Sequence, residues 1–161
     1  MTFLERTTDS RRLRHVDVDM SVDYIYTSGI AGERFFRALR DEGRILASHC
    51  PACKANTLPP RMFCERCFAE LTDTVDVSTE GKVLSFTVAH VDRRSQPLPQ
   101  PLVYAFVTFR GVERGGLVHR LLVSPDRAKI GMAVRVRIRP REQRTGTILD
   151  IEGFEPSASQ L

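Results

Sequence analysis

The sequence predicts a mainly β fold in which a short N-terminal helix and a small cysteine-rich ribbon precede a C-terminal five-stranded barrel. Three observations support this prediction. One segment has apolar residues on a single helical side, two Cys-x-x-Cys pairs lie close together, and five later segments alternate between apolar and polar residues. A chain of 161 residues with 42% apolar content is long enough to bury one modest core and a small satellite element.

These patterns divide the chain into five parts. We expect an arm over residues 1–30, a helical segment over 31–47, a metal-binding ribbon over 48–76, the barrel over 77–156 and a tail over 157–161. The helix itself is predicted at about 31–42, with Gly43 as its stop signal. The residues that give this segment one apolar side are Phe35, Phe36, Leu39, Ile45 and Leu46.

The cysteines predict a metal site. All four lie in "HCPACKANTLPPRMFCERC" and form two Cys-x-x-Cys pairs, Cys50 with Cys53 and Cys64 with Cys67. Zinc prefers four soft ligands in a tetrahedron, and each Cys-x-x-Cys turn supplies two thiolates. Four cysteines leave no open coordination position for water or substrate, so the predicted site is structural and not catalytic.

Two other uses of these cysteines stay open at this point. A rubredoxin-like iron site has the same ligands, and one Cys-x-x-Cys pair alone is also found in redox proteins. Thioredoxin-type sites lie between a strand and a helix, however, and that context is not visible here. For the zinc ribbon we expect Lys54, Arg61 and Arg66 to offset the charge of the thiolates. A miniature core is expected from Leu58, Met62, Phe63 and Phe68.

The barrel is predicted from five strand-like runs after Cys67. They are separated by turn-rich pieces such as "DRRSQPLPQP", "GVERGG" and "SPDRAKIG", with no substantial helix between them. Five strands of this kind indicate a barrel of the oligonucleotide/oligosaccharide-binding (OB) type, with a five-stranded sandwich as the competing arrangement. The five runs are "GKVLSFTVAHV", "PLVYAFVTF", "GGLVHRLLVS", "MAVRVRIRP" and "GTILDIEGF".

Arginines are the candidate ligand-binding residues. The net charge is +4 and the cations are nearly all arginine, which suits contacts with phosphate or carboxylate groups. In "VRVRIRPR", alternation directs Val134, Val136 and Ile138 to the core. The outer row is then Arg135, Arg137 and Arg139, which suits phosphates of an adenosine diphosphate group or, alternatively, only keeps an edge strand solvated. Arg93 and Arg94, in the loop between the first two barrel strands, are further candidates.

The sequence gives no sign of an active site of its own. No Ser/His/Asp arrangement, paired acidic motif or glycine-rich phosphate loop is present, and His90 and His119 lie among apolar strand residues as expected for structural histidines. The N-terminus lacks the apolar core of a signal peptide, and no segment is apolar enough to cross a bilayer. We therefore expect a cytoplasmic protein, in which clustered cysteines bind metal more readily than they form disulfides.

From about residue 31 onward the chain resembles a family of zinc-ribbon plus OB-fold proteins long known only as a domain of unknown function. The resemblance rests on the helix "ERFFRALRDEGRILASHC", on two Cys-x-x-Cys pairs with "LPPR" between them, and on the five-stranded barrel that follows. One departure is visible, because family ribbons commonly carry glycine after the second cysteine, and here that residue is Lys54.

The resemblance implies a non-catalytic accessory subunit that binds the CoA part of an acyl-CoA and docks on a catalytic partner. Family partners include thiolases such as benzoylsuccinyl-CoA thiolase, MaoC-like enoyl-CoA hydratases and thiolase-like aldolases. We expect a thiolase-like partner, docked through the arm, the ribbon and the helix that carries Phe35 and Phe36. A single-stranded nucleic-acid-binding module is the alternative of another class, but its aromatic platform would rest on Tyr104 and Phe106 alone in a chain without Trp.

Overall fold

A computed structural model describes residues 26–157, together with Asp9 and Arg11. Most of the predicted arm, and the tail beyond residue 157, lie outside the described residues. Helix α1 spans Gly29–Glu42, and the strands are β1 (Ile45–Cys50), β2 (Ala55–Leu58), β3 (Thr74–Val77), β4 (Glu80–Val91), β5 (Pro97–Phe109), β6 (Arg114–Gly115), β7 (Leu117–Leu121), β8 (Ala133–Ile138) and β9 (Ile151–Pro156). Within residues 26–157 no helix is long and apolar enough to cross a membrane.

Helix α1 ends where the sequence predicts, at Gly43. This residue has a left-handed backbone with φ 68°, and its N–H donates to the Leu39 carbonyl. The extension of the helical segment to residue 47 was wrong, because Ile45 and Leu46 already belong to β1. The side chains of Ile45 and Leu46 are both buried in β1. Their apolar character therefore reflects the packing of a strand and not the apolar side of a helix.

The ribbon is built on a four-stranded sheet in the order β3-β1-β2-β6. β1 pairs antiparallel with β2 and with β3, and β2 pairs parallel with β6. β6 is only two residues long and comes from the connection between β5 and β7, which is otherwise part of the barrel. The ribbon sheet therefore includes a piece of chain, β6, that comes after the long barrel strands β4 and β5 in the sequence.

The other five strands form a closed barrel in the order β4-β5-β7-β9-β8. β4, β5 and β7 form an antiparallel meander, β9 lies parallel to β7, and β8 closes the barrel against β4. This order confirms the OB-type barrel and excludes the five-stranded sandwich. It also means that β8 is paired on both sides, so the alternative that its arginines protect an edge strand was wrong.

One apolar core joins the helix, the base of the ribbon and the barrel. Leu39 of α1, Ile45 of β1 and Phe154 of β9 are each at most 1% exposed within it. Val134 and Val136 point inward as predicted, and Ile138 is partly buried against the same core. A separate small cluster contains Cys50, Cys64 and Leu71. The result is one main core with a satellite at the cysteines, as chain length and composition suggested.

The connection between β8 and β9 is held by a buried carboxylate. Asp150 is 0% exposed and accepts hydrogen bonds from the N–H groups of Thr145 and Gly146, both at 2.8 Å. Burial opposes ionisation, but these hydrogen bonds outweigh it and lower the pKa of Asp150. The predicted fifth strand therefore begins late, at Ile151, after a turn that Asp150 organises. Arg144 from this connection lies against the C-terminal cap of α1.

We predict that Asp150→Asn lowers the free energy of unfolding by about 2 kcal/mol, because an amide nitrogen would face backbone N–H donors. The pKa of Asp150 is lowered in the folded state, so its contribution is present at neutral pH and is lost as the pH falls below about 4. Urea denaturation at pH 7 and pH 3 checks both points.

Asp41→Asn is the matched control, since Asp41 lies on the exposed face of α1 beside Arg40. It should change the stability little. Equal effects of the two substitutions at pH 7 would contradict the role assigned to Asp150.

Candidate metal centre and ligand surface

Two turns bring the four cysteines together. Cys50 is the last residue of β1 and Cys53 lies in the turn before β2, while Cys64 and Cys67 belong to a second turn that follows residues 59–63. All four sulfur atoms lie within 4.8 Å of one another. Cys50 and Cys64 are buried, Cys53 is partly buried and Cys67 is exposed, so one side of the cluster faces solvent.

The spacing of the sulfur atoms fits a tetrahedral metal. Sγ of Cys50 lies 3.6 Å from Sγ of Cys67, and Sγ of Cys53 lies 3.8 Å from Sγ of Cys64. Four thiolates at the usual zinc–sulfur distance of about 2.3 Å stand about 3.8 Å apart, so both of these distances match a tetrahedral zinc site. All four positions of the tetrahedron are then taken by protein, which leaves none for a substrate.

The protein stabilises negative charge unevenly in this cluster. The backbone N–H groups of Cys67 and Arg66, assisted by the Arg114 side chain, lower the pKa of Cys64 to about 5. The Ala69 N–H lowers the pKa of Cys67, but the neighbouring sulfurs, Cys53 first, outweigh it and raise that pKa to about 12. Four thiolates at these distances repel one another, so together they require a bound cation.

A residue that the sequence analysis did not select provides the cation nearest to the cluster. Nη1 of Arg114 donates to Sγ of Cys64 at 3.2 Å. Arg61, which we expected to offset the thiolates, instead forms an ion pair with Glu65. No contact between Lys54 or Arg66 side chains and the sulfurs is present among the described residues. "GVERGG" indicated only a turn, and nothing in its sequence shows that its arginine faces the cysteines.

The connection that carries Arg114 is fastened to the ribbon at several points. Asn56 donates from its backbone N–H to the Glu113 carboxylate at 2.6 Å and from its side chain to the Gly111 carbonyl at 2.7 Å. Gly115 has φ 78°, and a Cβ at this position would lie 2.0 Å from the Leu58 carbonyl oxygen. Only glycine allows so close an approach. We call residues 110–116 the junction loop, because they connect the barrel to the metal ribbon.

Both knuckles of the ribbon turn through a left-handed residue. Lys54 follows Cys53 with φ 51°, and Phe68 follows Cys67 with φ 59°. Lys54 therefore adopts a left-handed conformation in this knuckle although it is not glycine. Glycine would adopt this backbone conformation at a lower cost in free energy.

The predicted miniature core of the ribbon was wrong. Met62, Phe63 and Phe68 are 37%, 56% and 79% exposed, and Leu58 belongs to the main core instead. The buried residues at this site are the cysteines themselves with Leu71. Phe63 and Phe68 flank the second turn on either side, and their side chains remain on the surface.

The structure places the candidate arginines of the barrel in two regions. Arg135 and Arg137 stand on the outer face of β8 as predicted, but they form ion pairs with Glu155 at 2.6 Å and Glu152 at 2.7 Å on β9. Arg139 follows β8 and is only partly exposed. Arg93 and Arg94 are exposed at the tip of the β4–β5 hairpin, whose loop is shorter than predicted because β5 begins at Pro97.

The two histidines named above do not form a catalytic pair. His119 lies partly buried in β7, with its ring edge-on to Phe154, and burial lowers its pKa. His90 is exposed near the tip of the β4–β5 hairpin. Neither histidine is paired with a nucleophile or a carboxylate among the described residues.

Fold and site together define a protein made of a four-cysteine zinc ribbon and an OB barrel. Two adjoining family models match this chain. One describes the ChsH2 rubredoxin-like zinc ribbon domain and matches residues 37–72, and the other describes the ChsH2 C-terminal OB-fold domain and matches residues 74–139. Together they cover well over half of the sequence. The chain belongs to this family of ChsH2-type zinc-ribbon plus OB-fold proteins.

Solved structures show the same architecture. A DUF35-family protein of unknown function from Sulfolobus solfataricus is 26% identical with a TM-score of 0.64, over 80% of this chain and 87% of that one. The Ltp2–ChsH2(DUF35) aldolase contains a chain that is 29% identical with a TM-score of 0.57, over 76% of this chain and 91% of that one.

A curated relative from Thermomonospora curvata is described as a probable enoyl-CoA hydratase alpha subunit. It is 36% identical over 95 residues, which are 56% of this chain. The match spans only 28% of that relative's own length.

We predict that the purified protein contains about one equivalent of zinc, bound by Cys50, Cys53, Cys64 and Cys67. Elemental analysis of native protein checks both the identity and the amount of the metal. Cys64→Ser should lower the metal content and destabilise the ribbon, whereas Arg61→Gln, which changes a charge just before the second turn without removing a ligand, should retain the metal. Folded wild-type protein with metal well below one equivalent, or with iron as its native metal, would contradict the zinc assignment.

Proposed function

We propose that this chain is a non-catalytic, acyl-CoA-binding accessory subunit of a hetero-oligomeric enzyme, with a catalytic partner of the thiolase type. The observation that carries this proposal is the closed metal site. The chain's most specific chemical feature is a cluster whose four thiolates are all committed to holding a metal. The part of the chain that the structure describes offers no nucleophile paired with a base, so the reacting groups belong to another subunit.

The relatives support a role in a multi-subunit acyl-CoA enzyme. One is described as the alpha subunit of a probable enoyl-CoA hydratase, and another is solved as the Ltp2–ChsH2(DUF35) aldolase. The hydratase relative favours a MaoC-like hydratase as the second candidate partner, and the aldolase favours a thiolase-like aldolase. In each case this chain would position the CoA thioester while the partner supplies the nucleophile and the acid and base groups.

The second knuckle of the ribbon carries exposed aromatic residues that suit docking of the catalytic subunit. Phe63 and Phe68 are more than half exposed, and exposed aromatic residues are typical of the centres of protein interfaces. The helix residue Phe35, expected at this interface, is only 3% exposed and packs in the core. We therefore place the docking surface on the knuckle and not on the Phe35 side of α1.

The test is reconstitution of turnover. The catalytic subunit that co-purifies with this chain from its native host is produced separately, and thiolysis of an acyl-CoA by free CoA, its aldol cleavage or its hydration is measured for each subunit alone and for the mixture. We expect turnover only from the mixture, because binding energy from the CoA part is used at the reacting centre. A catalytic subunit that is fully active alone, or turnover by this chain alone, would rule out the accessory role.

The double variant Phe63→Ser/Phe68→Asn should weaken the complex about tenfold or more, because aromatic anchors contribute much of the binding energy of an interface. Asn suits the left-handed backbone at Phe68, so the zinc content should be unchanged. Ile130→Ser, at an equally exposed apolar position on the barrel, is the matched control and should leave the complex intact. Unchanged binding of the double variant would move the docking surface elsewhere.

A further inference from the structure

A cleft on the barrel combines arginine side chains with an apolar wall. It lies where the start of β5 meets the end of β7 and the short helical turn Pro125–Arg127, and its volume is about 530 Å³. Pockets of this size accommodate small-molecule ligands and cofactors. Arg120 and Arg127 supply the charge of the cleft, and Leu102, Leu122 and Val123 supply much of its apolar surface.

The two guanidinium groups of this cleft are not neutralised. Both side chains are exposed, and within residues 26–157 neither forms an ion pair with a carboxylate. Asp126 is adjacent in sequence but does not pair with them. In the arginine row of β8, by contrast, Arg135 and Arg137 are already paired with Glu155 and Glu152. At the arginine row of β8, a phosphate group would have to displace a glutamate carboxylate before it could bind an arginine. In the cleft, the arginines are free to bind a phosphate directly.

An aromatic ring stands beside this charge. Tyr104 of β5 is the direct cross-strand partner of Arg120 in β7, so the two side chains share the outer face of the barrel. Tyr104 is 37% exposed, which leaves part of its ring open to a flat ligand group.

A larger open depression of about 770 Å³ has Glu80 beside Lys82 and Arg110, and there the charges are of mixed sign.

β5 and β7 are the second and third strands of the barrel, and the face formed by these strands is the usual ligand surface of OB folds. Resting on the acyl-CoA-binding role proposed above, we propose that this cleft binds an adenosine nucleotide through its pyrophosphate. Arg120 and Arg127 contact the phosphates, Tyr104 faces the adenine, and Leu102 and Leu122 line the path of the adjoining apolar arm. The nucleotide part of this chemistry is shared by coenzyme A and by free ADP, whereas the apolar arm is present only in coenzyme A.

The experiment measures binding of ADP, coenzyme A and pantetheine to the zinc-loaded full chain by isothermal titration calorimetry. We expect ADP and coenzyme A to bind and pantetheine, which lacks the nucleotide, to bind at least about tenfold more weakly. Tighter binding of coenzyme A than of ADP identifies the coenzyme as the source of the nucleotide. Backbone NMR shifts on adding ADP should concentrate at residues 100–104 and 120–127.

The test variant is Arg120→Gln/Arg127→Gln, which should weaken ADP and coenzyme A about tenfold or more because two charged phosphate contacts are lost. The control variant Lys82→Gln/Arg110→Gln removes two positive charges from the larger depression that also contains Glu80. It should change the affinity for ADP and coenzyme A by less than about twofold. Arg135→Gln/Arg137→Gln measures the competing row on β8, where we expect a smaller loss than in the cleft. All substituted side chains are exposed, and unchanged zinc content and thermal unfolding confirm that the variants fold.

The outcomes separate this site from the function on which it rests. If coenzyme A binds the wild type and the cleft variant equally well, or if the β8 variant loses more affinity, the cleft assignment is wrong while the acyl-CoA role stands. If neither ADP nor coenzyme A binds the chain, alone or with its catalytic subunit, both proposals fail. Tight binding of an oligo-dT strand that competes with ADP would overturn the assignment in favour of a nucleic-acid surface.

Discussion

The contact between the four-cysteine cluster and the junction loop is the constraint on which the arrangement of the protein depends. The cysteines alone would hold only a small hairpin-like ribbon, since the buried residues around them are few. Arg114 contacts Cys64, and Asn56 binds Gly111 and Glu113, so the junction loop and the ribbon share hydrogen bonds at the metal site and in β2. The apolar core that α1, β1 and the barrel share also attaches the ribbon to the barrel. A metal ion at the cysteines therefore fixes the position of the ribbon relative to the barrel, and not only the shape of the ribbon.

The residues that hold the fold together are distinct from the surfaces that suit binding of a partner or a ligand. The thiolates, which are the most reactive groups in the chain, are committed to a closed metal site, and the ion pairs of the described residues lie at the surface. What the protein presents outward is a knuckle with exposed aromatic residues on the ribbon and a cleft with free arginines on the barrel. One surface suits a protein partner and the other suits a phosphorylated ligand, which is the combination that an accessory subunit needs in order to bring a substrate to another subunit.

Much of the fold was predictable because local patterns carried it. The five alternating runs, the cysteine spacing and Gly43 each specify structure within a few residues, and the OB barrel, the ribbon and the end of α1 were confirmed. The errors arose where distant residues decide the environment. Ile45 and Leu46 form a strand because β2 and β3 pair on either side of them, Arg114 reaches Cys64 only through the parallel β2–β6 pairing, and Glu152 and Glu155 neutralise the arginine row only because β9 lies beside β8. None of these contacts has a signal in the nearby sequence.

The claim that the cysteines hold a shape is tested most directly by amide hydrogen exchange of the zinc-loaded and the chelated protein, with metal content verified in each. On removal of the metal we expect residues 50–71 and the junction loop, residues 110–116, to lose protection together, while the barrel strands that contribute to the main core keep theirs. Unchanged protection of both segments in metal-free protein would contradict the account, because the fold would then hold the ribbon in place without the metal.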